Sequence, residues 1–309
     1  MSQHSDRDPV VIGLVNNMPD GALQNTERQF KDLLQAAAGA AAIHVRVFSL
    51  PEAPRSQASR TYIDQNYENF DTLWNSRFDG LIVSGTEPRA TTLTGEPYWD
   101  TLTKLVDWAE QHTRSTIWSC LAAHAAVYHL DGIGRERFPE KLSGVFDCLK
   151  TSEHEILADT PAGWCIPHSR SNDLPEKALV AANYQILSRS PAAGADMFMK
   201  QGKSLFLFLQ GHPEYDPGSL LREYQRDVGR YLRSERDAYP QTPRDYFDPD
   251  AAAALAAFRT RALAQRSIDL LGSFPSVDLT GGNARAWRTT AVRIYTNWLA
   301  LLRNSKRAT

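Results

Sequence analysis

The 309-residue chain is short of several things, and each shortage closes off a class of function. It has only three cysteines, Cys120, Cys148 and Cys165. They show neither metal-ligand spacing nor an even-numbered disulfide framework, so no metal is expected and a reducing, cytoplasmic location is. The formal net charge is −2, from 34 Lys and Arg against 36 Asp and Glu. No polyanion-attracting field follows, which argues against nucleic acid as a partner. Long hydrophobic runs are missing too. The small-apolar stretch at 36–43 is broken by Gly39 and too short to span a bilayer, so no membrane association is expected. The start, MSQHSDRDP, is polar and lacks an apolar signal core. No internal repeat is evident.

What remains is 42% hydrophobic and 23% charged, as in a soluble globular protein. Buried-strand patterns at 10–15, 43–50, 79–84 and 115–118 alternate with helical patterns at 26–38, 62–74, 98–112 and after Cys120. Residues 51–60 read as a polar loop. Alternation of this kind predicts an α/β fold with a doubly wound, mostly parallel, flavodoxin-like sheet. Ligands of such sheets bind at the carboxyl ends of the strands. Beyond 140 the pattern is less regular. Short strand-like runs occur at 144–149, 164–166, 178–182, 186–188 and 204–209. Helices are expected at 219–233, 251–271 and 287–302, with a loop at 239–250 and a Gly/Pro/Ser linker at 273–283. Residues 1–240 form the main domain in this reading, and 241–309 a helical C-terminal extension packed on it.

Cys120 sits where the period changes from strand to helix. A sharp turn there lifts a side chain out of the sheet and aims free helix N–H groups at it, a setting that favours a thiolate and later an oxyanion. A small buried core cysteine fits the same pattern. Residues 205–210 form a continuous apolar strand followed by Gly211-His212-Pro213-Glu214. A His and a carboxylate two residues apart could supply the base and its orienting partner; a surface turn fits equally. His124, one helical turn after Cys120, is read as structural, and His168 as a pocket neighbour.

Ordered motifs run along the chain: NxMP from Asn16, TExQF from Thr26, FDGLIVSG from Phe78, Tyr98-Trp99, EKLSGV from Glu140, PHSR from Pro167, GHPEYD from Gly211, EYxRD from Glu223 and TNWL from Thr296. Together they resemble the homoserine O-acyltransferases of methionine biosynthesis, the transsuccinylase type on a class I glutamine-amidotransferase-like fold. The resemblance implies Cys120 as acyl-accepting nucleophile, His212 as general base and Glu214 as its partner. It implies backbone N–H groups of Leu121 and of the turn at Thr86 as the oxyanion hole. Lys141 and Ser169 match substrate-contacting positions. Arg226 matches the residue that grips the amino acid carboxylate, and Glu223 lies one turn earlier on the same helix. Succinyl-CoA or acetyl-CoA and L-homoserine are the implied substrates, with no cofactor beyond the acyl-CoA and a homodimer as the assembly.

The chain departs from that family in places. Asp20-Gly21 stands where a lysine pair is usual. Arg89 occupies the position that sets acyl size in that family; it could pair with the free carboxylate of a succinyl group or fill the pocket and leave room only for acetyl, and succinyl is favoured because a buried guanidinium needs an anionic partner. Residues 251–282 read as an insertion that covers the site or builds an interface, and Thr289 or Thr290 replaces a histidine. Rival readings are a true glutamine amidotransferase, a non-catalytic homologue, and transfer to another hydroxy amino acid such as serine. The first would need glycines flanking the cysteine, where Trp118 and Ala122 stand.

Overall fold

The computed structural model describes residues 9–279, 283 and 285–307. The polar start at 1–8 and the Gly281-Gly282 end of the expected linker and insertion lie outside the described residues. The strands are β1 (Val10–Val15), β2 (Ile43–Phe48), β3 (Gly80–Val83), β4 (Ser115–Ser119), β5 (Glu136–Lys150), β6 (Gly163–Asp173), β7 (Gln185–Ser190), β8 (Gly194–Gln201) and β9 (Leu205–Leu209). They form one sheet in the order β2-β1-β3-β4-β9-β8-β7-β5-β6. From β2 to β9 all neighbours are parallel. From β9 to β6 they are antiparallel.

The parallel half follows from its residues. β3, β4 and β9 are buried on both faces, as strands covered by helices on each side must be. Side-chain alternation splits the strands between two cores: Ile82, Ile117 and Leu207 enter one, while Leu81, Val83, Trp118, Phe206 and Phe208 enter the other. The helices are α1 (Leu23–Ala38), α2 (Gln57–Asn66), α3 (Trp99–His112), α4 (Leu121–Asp131), α5 (Glu176–Ala181), α6 (Ser219–Leu232), α7 (Pro249–Ala264) and α8 (Arg288–Arg307). α1 and α8 cover the first core with Phe30, Leu33, Tyr295, Trp298 and Leu299. α3 and α4 cover the second with Leu102, Leu105, Val106, Ala123 and Val127. Trp298 Nε1 donates to Ser115 Oγ at 2.9 Å, which fixes α8 to the strand that leads to Cys120.

Several expectations change. The run at 178–182 is not a strand but part of α5, which starts after Pro175 with Glu176 in its first turn; five apolar residues carry too little periodicity to decide. The loop expected at 51–60 contains the start of α2, capped by Ser56. The helix expected at 62–74 is the end of α2 followed by a separate 3-10 turn at Phe70–Asn75. The helix expected over 251–271 stops at Ala264, with a 3-10 turn at Ile268–Ser273. α7 and that turn pack on the outer side of α6, Leu255 and Phe258 against Tyr224, Val228 and Tyr231. Gly144 in β5 has φ 146°, and the backbone of Arg244 lies so close that a Cβ there would come within 2.4 Å of it. Arg244 bonds β5 on both sides, donating to Ser143 O and accepting from Val145 N. Among the described residues, no helix is long and apolar enough to cross a membrane.

Candidate active site

β4 ends at Ser119, and Cys120 turns the chain into α4 with φ 51° and ψ −114°. A non-glycine residue in that region costs about 1–3 kcal/mol. The surroundings hold it there: Cys120 N donates to Leu209 O at 2.7 Å, and His124 N donates to Cys120 O at 3.2 Å. Leu121, as first residue of α4, keeps its N–H outside the helix ladder. The turn at Gly85 packs directly on this elbow. A Cβ on Gly85 would sit 3.1 Å from Leu121 N and 3.3 Å from Cys120 Cβ, so any larger residue would push the two segments apart by a few tenths of an ångström.

The imidazole arrives from the neighbouring strand. β9 pairs with β4, Ser119 opposite Leu209, so residues just past the two strand ends converge. His212 and Glu214 are both buried, and His212 Nδ1 meets Glu214 Oε1 at 2.8 Å. His212 Nε2 is buried with no partner at hydrogen-bond distance. Burial alone would push the imidazole pKa down. The Glu214 carboxylate and the Cys120 sulfur outweigh it and hold the pKa well above the ordinary histidine value. Tyr215 stacks on the imidazole, ring centroids 4.2 Å apart and planes within 16°.

Beyond His212 lies a run of alternating charges. Glu223 on α6 accepts from Ser169 Oγ, from Tyr215 OH at 2.5 Å and from Lys141 Nζ at 3.2 Å. Lys141 also reaches Asp227 at 3.1 Å, and Arg226 donates to the same carboxylate through Nε and Nη2, each at 3.1 Å. Arg230 forms a fork with Glu87, at 2.6 and 3.0 Å. For Glu223, burial would raise the carboxyl pKa; Lys141, Ser169 and Tyr215 bring it down to about 2.

These groups line one cavity of about 600 Å³. Cys120, Leu121, His212, Thr86, Lys141, Ser169, Glu223 and Arg226 all border it, so the structure brings together residues spread over half the sequence. Glu214 stands behind His212. Arg89 corrects the expectation. It is exposed, it does not border the cavity, and its loop is pinned outward because Glu96 Oε1 accepts from Arg89 N at 2.8 Å and Ala90 N at 2.9 Å. Among the described residues, nothing from 251–283 borders the cavity, so the described part of the insertion does not cover it. Asp20 accepts from Ser56 N at 2.9 Å, next to Met18 and Pro19 on the rim. Thr290 is buried in α8, away from the lining.

His124 borders the cavity but is buried, with Nε2 at 2.8 Å from Gln210 Oε1, and its pKa is pushed down to about 3 by burial. His168 is also fully buried and does not reach the cavity; it converges with Cys148 and Asp196 within 4.8 Å, behind the wall. Arg170 Nε donates to His168 Nδ1 at 3.3 Å and adds a cation to that cluster. Burial pushes the Cys148 thiol far up and the Cys165 thiol up to about 11, and of the three cysteines only Cys120 borders the cavity. Sequence reasoning missed Tyr215, Asp227, Arg230, Glu87 and Arg135. The spacing of Arg226 and Arg230, one turn apart on an amphipathic helix, was the available signal for Arg230.

The geometry can be set beside known proteins. A model of the homoserine O-succinyltransferase family matches residues 1–307. A homoserine O-succinyltransferase from Rhodopseudomonas palustris is 52% identical over 293 residues, 95% of this chain and 88% of that protein. One from Methylorubrum extorquens is 45% identical over 291 residues, 94% of this chain and 86% of that protein. The crystal structure of a glutamine amido transferase from Methylobacillus flagellatus matches with a TM-score of 0.51 over 95% of this chain and 94% of that one; at 15% identity this likeness concerns the fold alone. With the family model spanning nearly every residue and close relatives covered almost end to end, the chain belongs to the homoserine O-succinyltransferase family.

Proposed function

We propose that this protein moves the succinyl group of succinyl-CoA to the hydroxyl of L-homoserine through a thioester on Cys120. The observation that carries the reading is the Cys120 elbow on β4 beside the Glu214-oriented His212 that follows β9. The sulfur attacks the thioester carbonyl, and the Leu121 N–H and the turn at Thr86 receive the oxyanion. One such donor contributes about 3 kcal/mol to the transition state. The CoA thiolate leaves with the proton carried by His212. Homoserine then enters, its hydroxyl gives a proton to His212 and attacks the Cys120 thioester, and the sulfur leaves as thiolate.

The charges on His212 suit both halves. While the sulfur is ionised, it and Glu214 together hold the imidazole proton. Acylation neutralises the sulfur and removes one of those two charges, so the imidazole loses its proton more readily at the stage that needs a base. Glu223 suits the ammonium of homoserine and Arg226 its carboxylate. The route calls on no cofactor beyond the acyl-CoA co-substrate. Acetyl-CoA as a secondary donor, a homodimer and a cytoplasmic location belong to the same proposal.

Intact mass after incubation with succinyl-CoA tests it. A single succinyl adduct is expected, absent from Cys120→Ala and discharged by homoserine. No adduct from either succinyl-CoA or acetyl-CoA, or release of ammonia from glutamine, refutes it.

A further inference from the structure

The cavity's cations differ in what holds them. Lys141, Arg170, Arg226 and Arg230 are committed to Glu223, Asp173, Asp227 and Glu87, Arg236 donates to Ala238 O, and Arg137 is exposed to solvent. Arg135 is different. It borders the same cavity and is half-buried, yet its guanidinium forms no ion pair and no hydrogen bond with any described residue. The groups whose charges act on it are Glu96, Tyr98, Cys120 and Arg137, and it in turn acts on His124. That places it on the Cys120 and α4 side, near the loop that ends at Glu96. The carboxylates of the Glu223–Asp227 network are not among the groups that act on it most strongly. Glu96 does not neutralise it by contact: one oxygen holds the backbone of Arg89 and Ala90, and the other is buried without a partner. Burial holds the Arg135 pKa below the ordinary arginine value, with Glu96, Tyr98 and Cys120 offsetting only part of it.

A planar cation that is partly desolvated, points into a cavity and lacks a protein carboxylate is built to receive one from a ligand. We propose that Arg135 binds the free carboxylate of a dicarboxylic acyl group while its other end is bonded to Cys120, and so selects succinyl over acetyl donors. This takes over the role the sequence suggested for Arg89, which the fold turns outward. The inference rests on the acyl-transfer reading above, and it leaves the Glu223, Lys141 and Arg226 end of the cavity to the amino acid.

The test compares kcat/KM for succinyl-CoA and acetyl-CoA, with homoserine, in the wild type, Arg135→Gln and Arg135→Lys. Loss of one or two charge-assisted hydrogen bonds should lower the succinyl-to-acetyl ratio about 10- to 100-fold in R135Q, with partial recovery in R135K. A donor whose terminal carboxylate is replaced by an amide supplies a readout that misfolding would not produce: it should be discriminated against by the wild type and not by R135Q. Equal losses with both CoA donors would assign Arg135 to the CoA phosphates and overturn the proposal. So would an unchanged ratio. A wild type that transfers neither acyl group to homoserine would instead overturn the acyl-transfer reading.

Discussion

Replacing Glu223 by glutamine removes a charge while keeping the size of the side chain. Its carboxyl titrates at about 2 in the folded protein against 4.5 for an unperturbed glutamate, because Lys141, Ser169 and Tyr215 outweigh the effect of burial. That gap corresponds to about 3 kcal/mol of folding stability at pH 7. Since the folded value lies below the unfolded one, the contribution is complete above pH 4.5 and is lost as the pH falls towards 2. E223Q should therefore cost about 3 kcal/mol at pH 7 and about half of that at pH 3. Urea denaturation of wild type and E223Q at pH 7, 4 and 3 measures the difference. Typical stabilities of about 5–15 kcal/mol leave the variant folded at neutral pH. An equal cost at pH 7 and pH 3 would refute the claim that Glu223 is held ionised by its three donors. In the same variant the KM for homoserine should rise, because the ammonium loses its counter-charge.

Cys120→Gly should be more stable than Cys120→Ala by about 1–2 kcal/mol, since only glycine adopts φ 51° without strain; neither variant should form the acyl adduct, and thermal unfolding that ranks them equally would deny the strain at the elbow. Gly144→Ala should cost about 2–4 kcal/mol in denaturant unfolding, because its Cβ would overlap the Arg244 backbone. Gly21→Ala, with nothing within 4 Å of the added atom, is the control and should change stability little.

The parallel half of the sheet was legible because its strands are short apolar runs between turn residues. Cys120 and His212 could be linked from sequence only through the motifs, since nothing local says that β9, last in the chain, lies beside β4. β8 escaped notice because Gly194, Asp196 and Lys200 interrupt its apolar pattern; Asp196 is tolerated inside because Ser188 Oγ donates to it at 2.8 Å. Arg89 was misplaced because the outward turn of its loop depends on Glu96, and a carboxylate catching two backbone N–H groups leaves no mark in composition. Tyr215 was hidden for a similar reason. Its stacking on His212 and its hydroxyl on Glu223 exist only once α6 is docked.

Because the last strand to be synthesised is the one that joins β4 to β8, a nascent chain still lacking it consists of two separate ribbons with open edges. The thiol can be formed, and even sit in its turn, while its imidazole is still inside the ribosome. On the proposed mechanism, acyl transfer therefore waits until translation has passed β9 and the two ribbons have joined. On that mechanism, turnover appears only once the sheet has closed.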